Sequence, residues 1–148
     1  MSDYLSVQDV IDHVPSQLED KLYYDDNISG ANNSWIQEDI TSGESTIESY
    51  LGKYYQLPAT EGDNPNSYGI LRRINLDITM YLAYNRYALG TPEEVMFAYE
   101  QAIKMLKEIR DEKAYLPDLP VLEESGVGKT TIFSDDAVFK VADIAKFY

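Results

Sequence analysis

The stretch "YGILRRINLDITMYLAYNRYALGTPEEVMFAYEQAIKMLKEIR", residues 68–110, decides the fold class. In its first half the apolar side chains fall on two faces of a helix, Leu71, Ile74, Ile78 and Leu82 on one and Leu76, Met80, Tyr84 and Tyr87 on the other. A helix apolar on two sides belongs in the middle of a core, so residues 68–90 are predicted as the central buried helix. Gly90 suits the position just past its end, and Thr91-Pro92-Glu93-Glu94 offers a cap, a first-turn proline and a capping-box acid for a second helix. That helix carries Val95, Tyr99, Ala102, Ile103, Leu106 and Ile109 on one face, with Lys104, Lys107 and Arg110 late, where the macrodipole favours cations. So short a connection makes the two an antiparallel hairpin.

Upstream, Ser6 with Asp9 three residues on predicts a capped short helix with Val7, Val10, Ile11 and Val14 inward, closed by Pro15. A second short helix is expected from Ser16, boxed with Glu19 and ending near Tyr24. The polar run from Asp25 to Asn33 reads as a loop. From Ser34, with Gln37 as a capping partner, apolar residues recur at Ile36, Ile40, Ile47, Leu51 and Tyr54, predicting a long helix stopped by Leu57-Pro58. Gly43 should weaken its middle, since glycine costs about 1 kcal/mol relative to alanine in a helix. Residues 59–67 form a second loop.

Downstream, Leu116-Pro117-Asp118-Leu119-Pro120 cannot continue a helix, and Gly126 and Gly128 follow. The expected fold is all-α: a small helical bundle with a long helical hairpin over residues 1–113 and an extended C-terminal arm over 114–148. That arm holds Phe133, Val138, Phe139, Ile144, Phe147 and Tyr148, apolar surface that something must cover. These six are the candidate partner-docking residues. A neighbouring subunit, another protein and the chain's own helices are all open as the cover.

The chain's 148 residues fit one domain, and no apolar run approaches the roughly 18 to 20 residues that cross a bilayer. The start, Met1-Ser2-Asp3-Tyr4-Leu5, has no basic region followed by an apolar one, so a soluble chain made in a cytoplasm and without a membrane partner is expected. Zero cysteines exclude thiolate chemistry, and His13, the single histidine, has no companion for a triad or a multi-histidine site. A formal charge of −14 argues against a nucleic-acid docking surface. The charge is uneven: residues 1–63 set 13 acids against Lys21 and Lys53, a balance of −11, which leaves −3 for the rest. The 13 tyrosines are in excess. Tyr50, Tyr54, Tyr55, Tyr81, Tyr84, Tyr87 and Tyr99 lie on or beside apolar faces, where core packing accounts for most and an interface for the others.

Two motifs tempt. "ESGVGKTT", residues 124–131, ends like a phosphate-binding loop, but the opening glycine would stand at 123, which is Glu123, and no strand precedes it. Nucleotide binding through 126–131 is the remote alternative to a surface hinge. Asp25-x-Asn27-x-Ser29-Gly30 begins like a calcium loop, yet Ile36 takes the place of the bidentate glutamate, so an Asx-rich turn is expected. No cofactor, no metal site and no enzymatic activity are expected.

"IESYLGKYYQLP", "LRRINLDITMYLAYNR" and "PEEVMFAYEQAIKMLKEI", in that order and spacing, resemble the Mu-like phage proteins of the head-tail region, a family of unknown function related to head-tail connectors or adaptors. The match runs through Ile47, Tyr50, Leu51, Tyr54, Leu57, Pro58, Leu71, Ile74, Asp77, Ile78, Tyr81, Tyr99, Ala102 and Leu106, with "YLSVQDVID" and "IFSDD" at the ends. Gly43 and the Asn-rich loop before Trp35 depart from the pattern. The resemblance implies a structural virion protein that forms a ring of about twelve copies between portal and tail, assembled in the host cytoplasm, with DNA passing through unbound. A head-closure or tail-end protein is the alternative within that world. If residues 1–63 line the channel, their negative charge would repel passing phosphates.

Overall fold

The computed structural model describes residues 3–18, 21–28, 30–86 and 90–122. Among them the architecture is all-α: α1 (Val7–His13), α2 (Asn33–Leu51), α3 (Pro65–Arg86) and α4 (Glu93–Arg110), with a 3-10 turn at Ser16–Leu18. The small helical bundle and its hairpin are as the sequence predicts.

The first helix begins with its expected capping box: the Asp9 amide donates to Ser6 Oγ at 3.1 Å and the Ser6 amide donates back to Asp9 at 2.8 Å. Of the expected second helix, the described residues show the 3-10 turn at Ser16–Leu18, while Glu19 lies outside them. The chain reverses instead at Tyr23, whose φ of 65° is left-handed, and Tyr24 bridges to Ala31 across the loop. The long helix starts earlier than expected, because Asn32 rather than Ser34 caps it, its side-chain oxygen accepting from the Ser34 and Trp35 amides. It ends at Leu51, so Tyr54 lies in the following turn. Its middle is unbroken. The central helix likewise starts early, at Pro65, a residue that needs no amide partner in a first turn. At the hairpin, Gly90 has a φ of 83° that favours glycine. Pro92 takes the cap position without a side-chain bond, while the Thr91 hydroxyl donates to Asn85 at 3.0 Å instead of capping α4.

Early residues of each long helix meet late residues of the next. Asp39 pairs with Arg86 and Gly43 meets Asn75, so α2 and α3 are antiparallel. Tyr81 stacks on Tyr99 with centroids 3.9 Å apart, and Tyr84 shares a cluster with Val95, so α3 and α4 are too. Two apolar clusters fill the bundle. One joins Ile47, Leu51, Leu71, Ile78, Leu106 and Ile109; the other joins Val10, Leu22, Ile36, Ile40, Met80 and Ala83, and places α1 against α2 and α3. Most of the tyrosines flagged in the sequence belong to this packing: Tyr55 and Tyr84 are buried, and Tyr50, Tyr54, Tyr81 and Tyr99 are half-buried, while Tyr87 lies outside the described residues.

The stretch 114–122, the first part of the expected arm, lies on this body. Leu116 and Leu119 are buried in the first cluster. The Gln56 amide donates to Pro120 O and the Leu122 amide to Tyr54 O, each at 2.9 Å. Asp118 accepts the Asn66 and Ser67 amides at 2.9 Å each, so a residue far along the chain caps α3. The Ser67 hydroxyl beside it and these amides hold its carboxyl below the ordinary carboxylate range. A depressed pKa stabilises the fold at neutral pH, and that contribution is lost as the pH falls through the folded value. Asp118→Ala is therefore expected to lower the melting temperature at pH 7 and speed amide exchange at Asn66 and Ser67, with the difference from the parent shrinking in acid. Residues 123–148, the rest of the arm, lie outside the described residues.

Candidate partner-binding cleft

All six candidate docking residues, Phe133, Val138, Phe139, Ile144, Phe147 and Tyr148, fall outside the described residues, as does "ESGVGKTT". On the body itself, an apolar cleft of about 220 Å³ lies where α1 and α4 flank the same stripe of α3. Its apolar lining is Pro15, Met80, Tyr84, Val95 and Ala98, and its polar lining is His13, Arg73, Asp77 and Glu94. The helical period of α3 explains the arrangement, because residues 73, 77, 80 and 84 recur at three- and four-residue spacing and form one stripe. On the exposed side of α4, Phe97 is 61% exposed and Met105 is 40% exposed, so apolar surface continues beyond the cleft along that helix.

His13 is thus not isolated in space: the end of α1 brings it to the cleft that Asp77 also lines. Asp77 is bonded by Arg73 one turn earlier at 3.3 Å, but its side chain is only 17% exposed. Burial pushes its carboxyl above the ordinary range, against the opposite pull of Arg73 and His13. A carboxyl raised on folding costs stability above its folded pKa and ceases to do so as the pH falls through that value. Asp77→Asn is therefore expected to raise the melting temperature at pH 7, since the ion pair it loses is with an exposed arginine and contributes little. Melts of both proteins at falling pH should converge.

The calcium-like loop is built as an Asx turn. Asp25 accepts the Asn27 amide at 2.9 Å and the Asn32 side chain at 2.7 Å, and these bonds hold its carboxyl low. Its oxygens serve the loop's own amides, and among the described residues no group of three or more metal-binding side chains gathers. No described helix is long and apolar enough to cross a membrane.

The cleft was not legible in the sequence because its walls come from three separate helices. The one available signal was Asp77, an acid set within the apolar stripe of the central helix.

The family model described as "Bacteriophage Mu, Gp36" matches residues 4–127. The chain belongs to this family. No curated protein matches it. The match takes in α1 through α4 and the clasp at 114–122, so the whole described body is the Gp36-family unit. It stops at Val127, inside "ESGVGKTT", which leaves Lys129 and all six candidate docking residues beyond the matched region.

Proposed function

We propose that this Gp36-family chain is a non-enzymatic virion subunit, a head-tail connector that forms a ring between portal and tail. The observation that carries the reading is family membership across the entire helical body. Two features of the chain agree with it. Its described core is packed by leucine, isoleucine and tyrosine from four helices, a rigid block suited to repetition around an axis. Its charge is concentrated in residues 1–63, at −11, and an acidic lining would keep DNA moving by repelling phosphates.

In this proposal residues 130–148 dock on an adjacent subunit or on the portal during assembly, and the ring, of about twelve copies, lets DNA pass without specific contacts. The test is electron microscopy of the purified chain with its portal protein. A closed ring seated on the portal is the expected result; a chain that stays apart from the portal in every mixture would overturn the reading, and binding only to tail components would favour a head-closure or tail-end role. Deleting residues 130–148 should leave a helical circular dichroism spectrum and a cooperative melt while abolishing ring formation. Global unfolding of the truncated chain would place those residues in the core instead.

A further inference from the structure

We propose that this chain associates head to tail with copies of itself, the lysine-bearing flank of α4 on one copy docking over the acidic groove beside α2 on the next. That such contacts close into a ring rests on the connector reading; the contact itself does not.

The first face is an open hollow of about 330 Å³ lined by Tyr99, Glu100, Ile103, Lys104 and Lys107 of α4. Helical spacing extends it, since Met96 lies on the stripe of Ile103 and Lys107, and Phe97 on that of Lys104. Met96 is 41% exposed and Phe97 is 61% exposed, so the flank combines apolar surface with cations. Tyr99 is backed by its stack on Tyr81, and at the far end Arg110 lies 5.4 Å from the Tyr50 ring. Tyrosine and arginine held in this way are the residue types on which interfaces concentrate their binding energy. Lys104 has only a loose pair of its own, 4.0 Å from Glu108, and its side chain is 65% exposed. With Glu100 as the one acid against two lysines, the hollow favours an acidic occupant. The cleft between α1 and α4 makes no such choice, because His13 and Arg73 face Asp77 and Glu94 there.

The complement is on the same chain, within the half that carries −11. Asp3, Glu44 and Glu48 line a groove of about 80 Å³ beside Leu57 and Pro58, with no cation in its lining. Glu44 accepts the Asp3 and Tyr4 amides, while Asp3 and Glu48 are exposed. The Tyr4 phenol in this groove is pushed up to about 12, by burial first, against the pull of the Ala59 amide, and further by the three carboxylates. Acids beside apolar side chains thus meet lysines beside apolar side chains, the match that orients two surfaces.

The helical period sets the two faces on opposite flanks. Glu48 and Tyr50 stand two residues apart on α2, about 200° around its axis. Glu48 lines the acidic groove, and Tyr50 lies beside Arg110 of α4. One copy therefore cannot bring its own faces together, and a joined pair keeps one face of each kind open, the heterologous geometry that builds rings or filaments.

Sedimentation of the full-length chain tests this. At about 0.1 M salt, repulsion between the net charges is screened beyond about 10 Å while contacting pairs persist. The chain is expected to sediment faster as its concentration rises from about 10 μM to about 1 mM, and to lose this association at about 1 M salt. Lys104→Glu with Lys107→Glu, and separately Asp3→Lys with Glu48→Lys, should each weaken it at least about tenfold while keeping the parent's circular dichroism spectrum. Net charge alone would send the two pairs in opposite directions, since one makes the chain more negative and the other less. Mixing the two reversed chains should restore association, because the reversed flank of one meets the reversed groove of the other. If a reversed pair unfolds, Lys104→Gln with Lys107→Gln and Asp3→Asn with Glu48→Gln carry the same comparison, each weakening association. A parent that stays monomeric throughout, or an association indifferent to salt, would overturn the proposal. Loss on changing α4 but not the groove would overturn it too, in favour of a different acidic occupant. The connector reading fails on a separate result, absence of portal binding, so the two outcomes are distinguishable.

Discussion

Asp39→Ala should lower the free energy of unfolding by about 3 to 5 kcal/mol, the cost of stripping a buried charge network of its centre. Asp39 is 5% exposed on α2. One carboxylate oxygen accepts the Tyr23 hydroxyl at 2.6 Å, and the other meets Arg86 Nη2 of α3 at 2.9 Å. The guanidinium in turn lies 5.4 Å from the Trp35 ring and 3.5 Å from Glu38. Alanine leaves the buried Tyr23 hydroxyl without this acceptor and removes the carboxylate that Arg86 faces. Urea denaturation is the direct measurement. Tyr23→Phe should cost less, about 1.5 to 3 kcal/mol, the worth of one hydrogen bond to a charged group. The double variant Asp39→Ala with Arg86→Ala should be less destabilised than the sum of the single ones, because each loss orphans the same contact. An Asp39→Ala loss below about 1 kcal/mol would mean that the network contributes no more than a surface pair.

Gly43→Ala should destabilise by about 1 to 3 kcal/mol even though alanine is the better helix former. A Cβ at Gly43 would overlap the Asn75 carboxamide oxygen, and Asn75 is 0% exposed, so the carboxamide has no solvent to swing into. Propensity gives back about 1 kcal/mol, and the overlap at a helix crossing exceeds it. The check is a cycle with Asn75→Ala. In that background the added methyl finds room, and Gly43→Ala should become neutral or stabilising. If it destabilises equally in both backgrounds, the cause is not the crossing.

These two sites show where reading a sequence succeeds and where it stops. The hairpin was legible because its information is local: periodic apolar residues in 68–110, Gly90 at the reversal, acids then lysines along α4. Ser6 and Asp9 were legible for the same reason, lying three residues apart. Gly43 was misjudged because propensity sees only its own helix, whereas its role is set by Asn75 on the next one. Of the expected helix after Ser16 the described residues show a 3-10 turn, and the reversal at Tyr23, where burial and a bond to Asp39 accompany a left-handed backbone, is set by tertiary contacts that no local pattern signals. The family resemblance lay in the order and spacing of three segments and is now the family the chain belongs to. The cleft combines residues 13 to 98, and Asp77 within the apolar stripe of α3 was its one local sign.

The cap on α3 also has a meaning in time. Asn66 donates to Asp118 across 52 residues, and Gln56 pairs with Pro120, so the helix at the centre of the core is closed by residues made after all four helices. A ribosome that has translated α1 through α4 has not yet delivered the clasp. The nascent chain therefore completes its described body only after Leu122 emerges, and until then the start of its central helix lacks the acceptors that the folded chain supplies.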